Sequence, residues 1–327
     1  MLFDSFGRKH DYLRISITDR CNFRCTYCMP DNRPGAYPET AGKMSPSEIE
    51  GIARVFCSLG VTKLRITGGE PLVRRDAGEI INRLSALPVK LTLTTNGVYL
   101  DRFMQEIRDA GIRSVNVSLD AMDAETFRII AQRDQFDKVM MNIRSLLEAG
   151  IHVKVNMVVM KAENEQQVTE FVAWTEKLPL HVRFIEYMPF TRNEWNYSKV
   201  VSAEEIRRNI ALKYKFSKLN DLPNDTAKSY AVDGFMGTFA LISTMTEPFC
   251  GSCNRLRLTA DGKMKNCLFS KGEMDLLSAY RKGENLEDLI RSCLWEKKAA
   301  RGGQMNGPME SLDAGSIENR SMIAIGG

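Results

Sequence analysis

Apolar and polar residues alternate along six short stretches, at about residues 11–17, 61–67, 89–95, 112–119, 151–159 and 180–187, and each alternation predicts a strand. Helical patterns lie between them. In SPSEIEGIARVFCSLG, Ser45 or Ser47 can cap the start and Gly60 can stop the end, while QFDKVMMNIRSLLEAG ends at Gly150. Strand and helix in this rhythm predict an α/β protein with a parallel sheet of βα units, closed or partly closed like a barrel, or doubly wound. Beyond about residue 200 the rhythm changes to a helix (SAEEIRRNIALKY), a Pro- and Asn-containing loop, hairpin-like strands and two more helices. The chain therefore divides at about 1–200, 201–299 and 300–327, the last part reading as a flexible tail poor in periodicity.

Side chains alternate faces along a strand, so parity separates two faces. Leu64 and Ile66 oppose Lys63, Arg65 and Thr67; Val115, Val117 and Leu119 oppose Asn116 and Ser118; Val153, Val155 and Met157 oppose Lys154 and Asn156. A parallel sheet covered on both faces reads instead as near-continuous apolar residues. One solvated face explains any single strand. Repetition of the same polarity in several strands predicts a partial barrel with a polar, cationic lumen. Arg14, Lys63, Arg65, Lys154 and Arg183 would repel one another there unless an anion joined them, so a phosphate-bearing ligand is expected.

Composition sharpens this picture. The 327 residues carry a net charge of only +4, from 45 basic and 41 acidic side chains, which argues against a blanket nucleic-acid-binding surface. No run approaches the ~18 apolar residues of a membrane span, and MLFDSFGRKH has no apolar signal region, so a cytoplasmic protein with no membrane partner is expected. In a reducing compartment the eight cysteines are better read as metal ligands where they cluster and as small core residues where they do not. Cys21, Cys25 and Cys28 form C-x3-C-x2-C after the first strand, with no histidine in the segment to complete a zinc site. Three thiolates can hold three irons of a 4Fe-4S cluster and leave the fourth iron open. Cys250, Cys253 and Cys267 form a second triplet, where a zinc knuckle remains an alternative if a distant fourth ligand folds in. Arg255 and Arg257 share one strand face beside it, and Cys57 and Cys293 fall in helical patterns as core residues.

The first triplet, with Tyr27 beside its last cysteine and TGGEP at Thr67 to Pro71 after the second strand, resembles the signature of the radical S-adenosylmethionine (SAM) superfamily. The set DYLRISITDRCNFRCTYCMP, LRITGGEPL, LTTNG, NVSLDA, VKVN, RFIEYM, CNRLRL and Gly326-Gly327 is similar to the GTP 3′,8-cyclase family of molybdenum cofactor biosynthesis. That resemblance implies an incomplete six-unit β/α barrel, TIM-like and closed by a carboxyl-terminal α+β extension, holding two 4Fe-4S clusters, SAM and GTP. It implies that Cys21, Cys25 and Cys28 hold the SAM-binding cluster, with Tyr27, Gly69, Ser118 and Met188 against SAM. Cys250, Cys253 and Cys267 would hold a second cluster whose open iron takes the guanine base. Arg14, Lys63, Arg65, Thr94, Lys154, Arg183, Arg255 and Arg257 fall at the family's GTP contacts, and Gly326 and Gly327 would enter the active site and assist turnover. The implied reaction abstracts the ribose 3′ hydrogen of GTP with a 5′-deoxyadenosyl radical and joins that carbon to guanine carbon-8. Its product is (8S)-3′,8-cyclo-7,8-dihydroguanosine 5′-triphosphate. The implied partners are an external electron donor and a downstream cyclic pyranopterin monophosphate synthase, with the chain acting as a monomer or homodimer. Two other readings stand beside it: a peptide-modifying radical SAM enzyme with an auxiliary cluster, and a zinc-stabilised nucleic-acid-binding module.

Overall fold

The computed structural model describes residues 1–31, 43–305 and 307–326. Its strands are β1 (Tyr12–Ser16), β2 (Lys63–Thr67), β3 (Lys90–Thr95), β4 (Ser114–Ser118), β5 (His152–Val159), β6 (His181–Glu186), β7 (Phe216–Lys218), β8 (Lys228–Val232), β9 (Thr238–Ile242), β10 (Arg255–Leu258), β11 (Lys263–Lys265) and β12 (Met274–Asp275). Its α-helices are α1 (Pro46–Ser58), α2 (Ala77–Ser85), α3 (Met104–Asp109), α4 (Ala124–Ala131), α5 (Phe136–Glu148), α6 (Val168–Trp174), α7 (Ala203–Ala211), α8 (Leu276–Arg281), α9 (Leu286–Trp295) and α10 (Met322–Ile325). All six strands expected from alternation form where the pattern places them. At α1 the alternatives resolve to Ser45: its hydroxyl accepts from the Glu48 amide at 3.3 Å while the Glu48 carboxylate accepts from the Ser45 amide at 2.7 Å.

One sheet runs in the order β12-β11-β10-β1-β2-β3-β4-β5-β6-β9-β8-β7. From β10 through β9 every neighbouring pair is parallel, so the extension adds one parallel strand at each edge of the six expected. Its remaining strands continue antiparallel as hairpins, β10 with β11 and β8 with β9. Among the described residues the outermost strands, β7 and β12, do not pair with each other, so the curled sheet stays open.

The helices cover the apolar face, where Leu13, Ile15, Leu64, Ile66, Val115, Val117, Val153 and Val155 are buried against residues such as Phe56 and Phe171. The same core includes Leu256, Leu258 and Ile290 from beyond residue 201, so the two parts share one core rather than packing as separate units. The described part of the tail carries buried apolar residues. Ile317, Ile323 and Ile325 are buried with Met245, Phe269 and Tyr187, because its few apolar residues find a second, smaller cluster. Among the described residues no helix is long and apolar enough to cross a membrane.

Candidate functional site

A cavity of about 420 Å³ opens at the carboxyl ends of the parallel strands, where loops rather than pairing decide what faces inward. All six clustered cysteines line it, together with Arg14, Arg65, Arg183, Arg255 and Arg257. The expected contacts Tyr27, Gly69, Thr94, Ser118 and Met188 are on its wall too. Lys63 and Lys154 are not; they lie toward the amino ends of their strands, Lys63 with its ammonium 4.4 Å from the Tyr12 ring centre. Gly326 reaches the wall through its carbonyl, which accepts from Arg257 Nη1 at 2.6 Å, and Gly327 lies outside the described residues.

The first cysteine loop is pinned from two sides. Its backbone donates to α4, from Arg24 N to Ala131 O at 3.1 Å and from Thr26 N to Ile130 O at 2.9 Å. The glycine turn after β2 grips the other side, with Gly69 N donating to Thr18 O at 2.8 Å and Glu70 N to Arg20 O at 2.7 Å. A Cβ on Gly68 would stand 2.7 Å from Thr18 O, and one on Gly69 2.5 Å from Arg20 O, so this approach needs glycine at both positions. Glu70 is buried under the turn and accepts from Leu72 N, Thr95 Oγ1 and Asn96 N at 2.6–3.0 Å. Burial pushes its carboxyl up to about 7 against those hydrogen bonds. Asp120 is likewise raised by burial, to about 6, while accepting from Val158 N at 2.8 Å and from the Tyr27 hydroxyl at 3.0 Å.

Cys253 of the second triplet shifts in the opposite direction to the cysteines of the first. Burial pushes the Cys21 and Cys28 thiols up to about 12 and Cys25 well above its ordinary value, with Glu70 and Asp120 adding to the effect. Bound iron would be needed to hold those sulfurs as thiolates. Cys253 is pushed up by burial as well, yet Arg255 and Lys297 bring it down to about 7. Among the described residues no three Cys, His, Asp or Glu side chains converge as a single metal ion requires. Three thiolates spread along a loop can each hold a different iron of a polynuclear cluster.

Cations form the other wall. Register places Arg257 beside Arg14, Arg14 beside Arg65, and Asn156 beside Arg183. Burial lowers Arg14 to about 10 and Arg183 and Arg257 to about 9, and the neighbouring guanidiniums add to each shift. Tyr12, unassigned by sequence reasoning, stands among them and accepts a short hydrogen bond from Arg65 Nε. Arg183 Nε and Nη2, Asn116 Oδ1 and Asn156 Oδ1 are buried without a hydrogen-bond partner among the described residues. An anionic ligand would accept from the Arg183 donors, as the parity argument requires, while the two amide oxygens call for hydroxyl or N–H donors on the same ligand.

Cys57 and Cys293 pack in or against the main core as expected. Sequence reasoning missed Tyr12, Glu70, Asp120, Lys297 and the tail residue Ile323, which faces the cavity beside Gly69. Tyr12, Glu70 and Asp120 had a signal, their places inside DYLRIS, TGGEP and NVSLDA; Lys297 and Ile323 had none.

Residues 15–175 match the family model described as the Radical SAM superfamily, and residues 180–302 match that described as Molybdenum Cofactor Synthesis C. Over 334 residues the chain is 42% identical to the mitochondrial GTP 3′,8-cyclase of Arabidopsis thaliana, covering all of this chain and 84% of that one. It is 44% identical over 332 residues to molybdenum cofactor biosynthesis protein 1 of Mus musculus, covering 99% of this chain and 51% of that one, so it spans about half that relative's length. Among solved structures, Streptococcus suis SuiB bound to S-adenosylmethionine superposes with a TM-score of 0.61 over 95% of this chain and 73% of that one; at 16% identity this speaks for the fold alone. With its cysteine triplets, its cation wall, both family models and 42% identity to a cyclase of which it covers 84%, the chain belongs to the radical SAM superfamily, in the family of the GTP 3′,8-cyclases of molybdenum cofactor biosynthesis.

Proposed function

We propose that the chain is a GTP 3′,8-cyclase in which Cys21, Cys25 and Cys28 hold a SAM-binding 4Fe-4S cluster and Cys250, Cys253 and Cys267 hold a second. One observation carries this reading: both triplets and six arginines, the five above and Arg301, face the same cavity. When bound, SAM and its cluster supply the 5′-deoxyadenosyl radical that accepts the ribose 3′ hydrogen. The chain's own task is orientation. Arg14, Arg65, Arg183, Arg255 and Arg257 would neutralise the triphosphate, and Lys63 and Lys154 would add charge from behind. Tyr27, Gly69, Ser118 and Met188 would bound the SAM side, while the second triplet fixes the base so that carbon-8 and the ribose 3′ carbon meet in one geometry. Thr94 belongs to the nucleotide side, and Gly326 would keep Arg257 in place. An external electron donor and a downstream synthase that consumes the cyclised nucleotide complete the scheme, in the cytoplasm and with no nucleic-acid partner.

Anaerobic reconstitution tests it. About eight irons per chain are expected, and GTP, SAM and a reductant together should yield 5′-deoxyadenosine and the cyclised nucleotide in equal amounts. SAM cleavage that is indifferent to GTP would overturn the substrate assignment. Zinc without iron would favour a binding module instead.

A further inference from the structure

Lys297 lies two residues beyond α9 in a stretch, EKKAARGG, that reads as solvated. It is instead 3% exposed, while Glu296 and Lys298 on either side are in water. Lysine is almost never buried without a partner. Its Nζ is 3.6 Å from Cys253 Sγ and donates to the Arg255 carbonyl at 3.1 Å. Four residues on, the Arg301 amide points at Cys250 Sγ from 3.5 Å. One short segment therefore directs N–H donors at two of the three sulfurs of the second triplet. Arg8 straps that segment down, donating to Lys298 O, Ala299 O and Cys250 O at 2.8–2.9 Å, and is itself held by Asp4 at 2.6 Å. At the first triplet the donors to sulfur are neutral, Phe23 N at 3.4 Å and Asn96 Nδ2 at 4.0 Å from Cys21 Sγ; the buried carboxyls Glu70 and Asp120 are charged neighbours, and the one cation acting on Cys21 and Cys28, Arg24, donates to Met29 Sδ rather than to a cysteine sulfur.

We propose that Lys297 is a positioning residue for the second cluster that makes it easier to reduce than the first, an assignment that rests on the two-cluster reading above. Each cluster takes one electron from a low-potential chemical reductant, with no bond made or broken, and becomes more negative. A fixed ammonium and N–H donors at its sulfurs favour that reduced form; buried carboxyls oppose it. The same ammonium ties β10, through the Arg255 carbonyl, to the cluster loop, so the arginine row and the cluster keep one spacing.

The test is a redox titration of the reconstituted holoenzyme with dithionite and mediators, followed by electron paramagnetic resonance, with SAM addition marking the first cluster. In Lys297→Met the ratio of reduced to oxidised second cluster at a fixed solution potential should fall about tenfold, ~59 mV for a one-electron couple. The first cluster should not move, and Lys297→Arg should restore most of the shift. A fully iron-loaded Lys297→Met with an unchanged second cluster, or with both clusters moved equally, overturns the assignment. If Lys297→Met does not hold the cluster, Lys297→Gln carries the test: it keeps an N–H donor without the charge, so a smaller fall supports the assignment and no fall overturns it. Four irons in the wild-type holoenzyme would instead remove the two-cluster reading, an outcome distinct from an unmoved potential.

Discussion

Burial pushes the Tyr12 phenol up, and the charges of Arg65, Arg14 and Lys63 more than reverse this, holding the group down to about 7. An acid depressed in the fold stabilises it fully above its ordinary value and loses that contribution as pH falls through about 7. A Tyr12 phenolate would be a counter-ion for the arginine wall, and a bound triphosphate would compete with it. By linkage, binding of GTP should then return a proton to Tyr12, so affinity should weaken as pH rises from 6 to 8.5. Equilibrium dialysis should show a flatter dependence for Tyr12→Phe; parallel profiles for the two proteins would exclude the counter-ion role. Arg183→Ala and Arg257→Ala remove charge-assisted hydrogen bonds of ~1.5–3 kcal/mol each, so each should lower kcat/KM about 10- to 100-fold with iron content unchanged. Normal turnover in either variant would mean that the cations do not meet the triphosphate.

The glycine turn after β2 is tied to chemistry through packing alone. Gly69→Ala drives a methyl into Arg20 O, so the cysteine loop must shift. The expected result is loss of the first cluster with the second retained, about four irons rather than eight; full loading would show that the turn tolerates the methyl. The amino-terminal strap carries a separate signature. His10 is pushed down to about 4, by burial first and by the Lys297 charge next, and its Nε2 lies 3.0 Å from Asp4. Below pH 6.5 the unfolded chain protonates before the fold does, so stability falls as pH drops toward 4. Between pH 7 and 5.5 this amounts to about 1 kcal/mol, which His10→Asn should remove in urea unfolding. How much of this was legible follows from what periodicity encodes. Alternation fixed β1 to β6 and the inward row of Arg65, Asn116, Lys154 and Arg183, since parity is a local property. It could not say that β9 and β10 would run parallel to β6 and β1, because pairing partner and direction are not written in a strand's own residues. Nor could composition distinguish a buried Lys297 from Lys298 beside it.

At the scale of the whole molecule, the tail completes a wall that the barrel leaves short. Met322 and Ile323 face the cavity, and Gly326 sits at φ +86 with its carbonyl on Arg257. An added Cβ there would stand 2.7 Å from Ser16 Cβ and 2.9 Å from Thr67 Oγ1. Gly326→Ala should therefore release the tail, lowering cyclisation at least tenfold with both clusters intact and speeding proteolysis beyond residue 300. Unchanged proteolysis with lost activity would place the defect at Arg257 instead. Gly, Ser and Asn are interspersed with the apolar residues of this stretch without periodicity, so Ile317, Ile323 and Ile325 are buried with no pattern to announce them.

The union of β1 with β10 also sets a timetable. Asp11 and Asn254, bonded at the head of that pair, are 243 residues apart, so the first strand made must wait for nearly the last. A nascent chain emerging from the ribosome carries β1 and β6 as bare parallel edges, open to the wrong strand until β9 and β10 arrive. Arg255, Arg257 and the second cysteine triplet come with that closing step. On the proposed reading, an interrupted chain would own the first cysteine triplet but lack the second triplet and the arginines of β10 that complete the same cavity, so the segment that would make the radical is synthesised before the segment that would direct it.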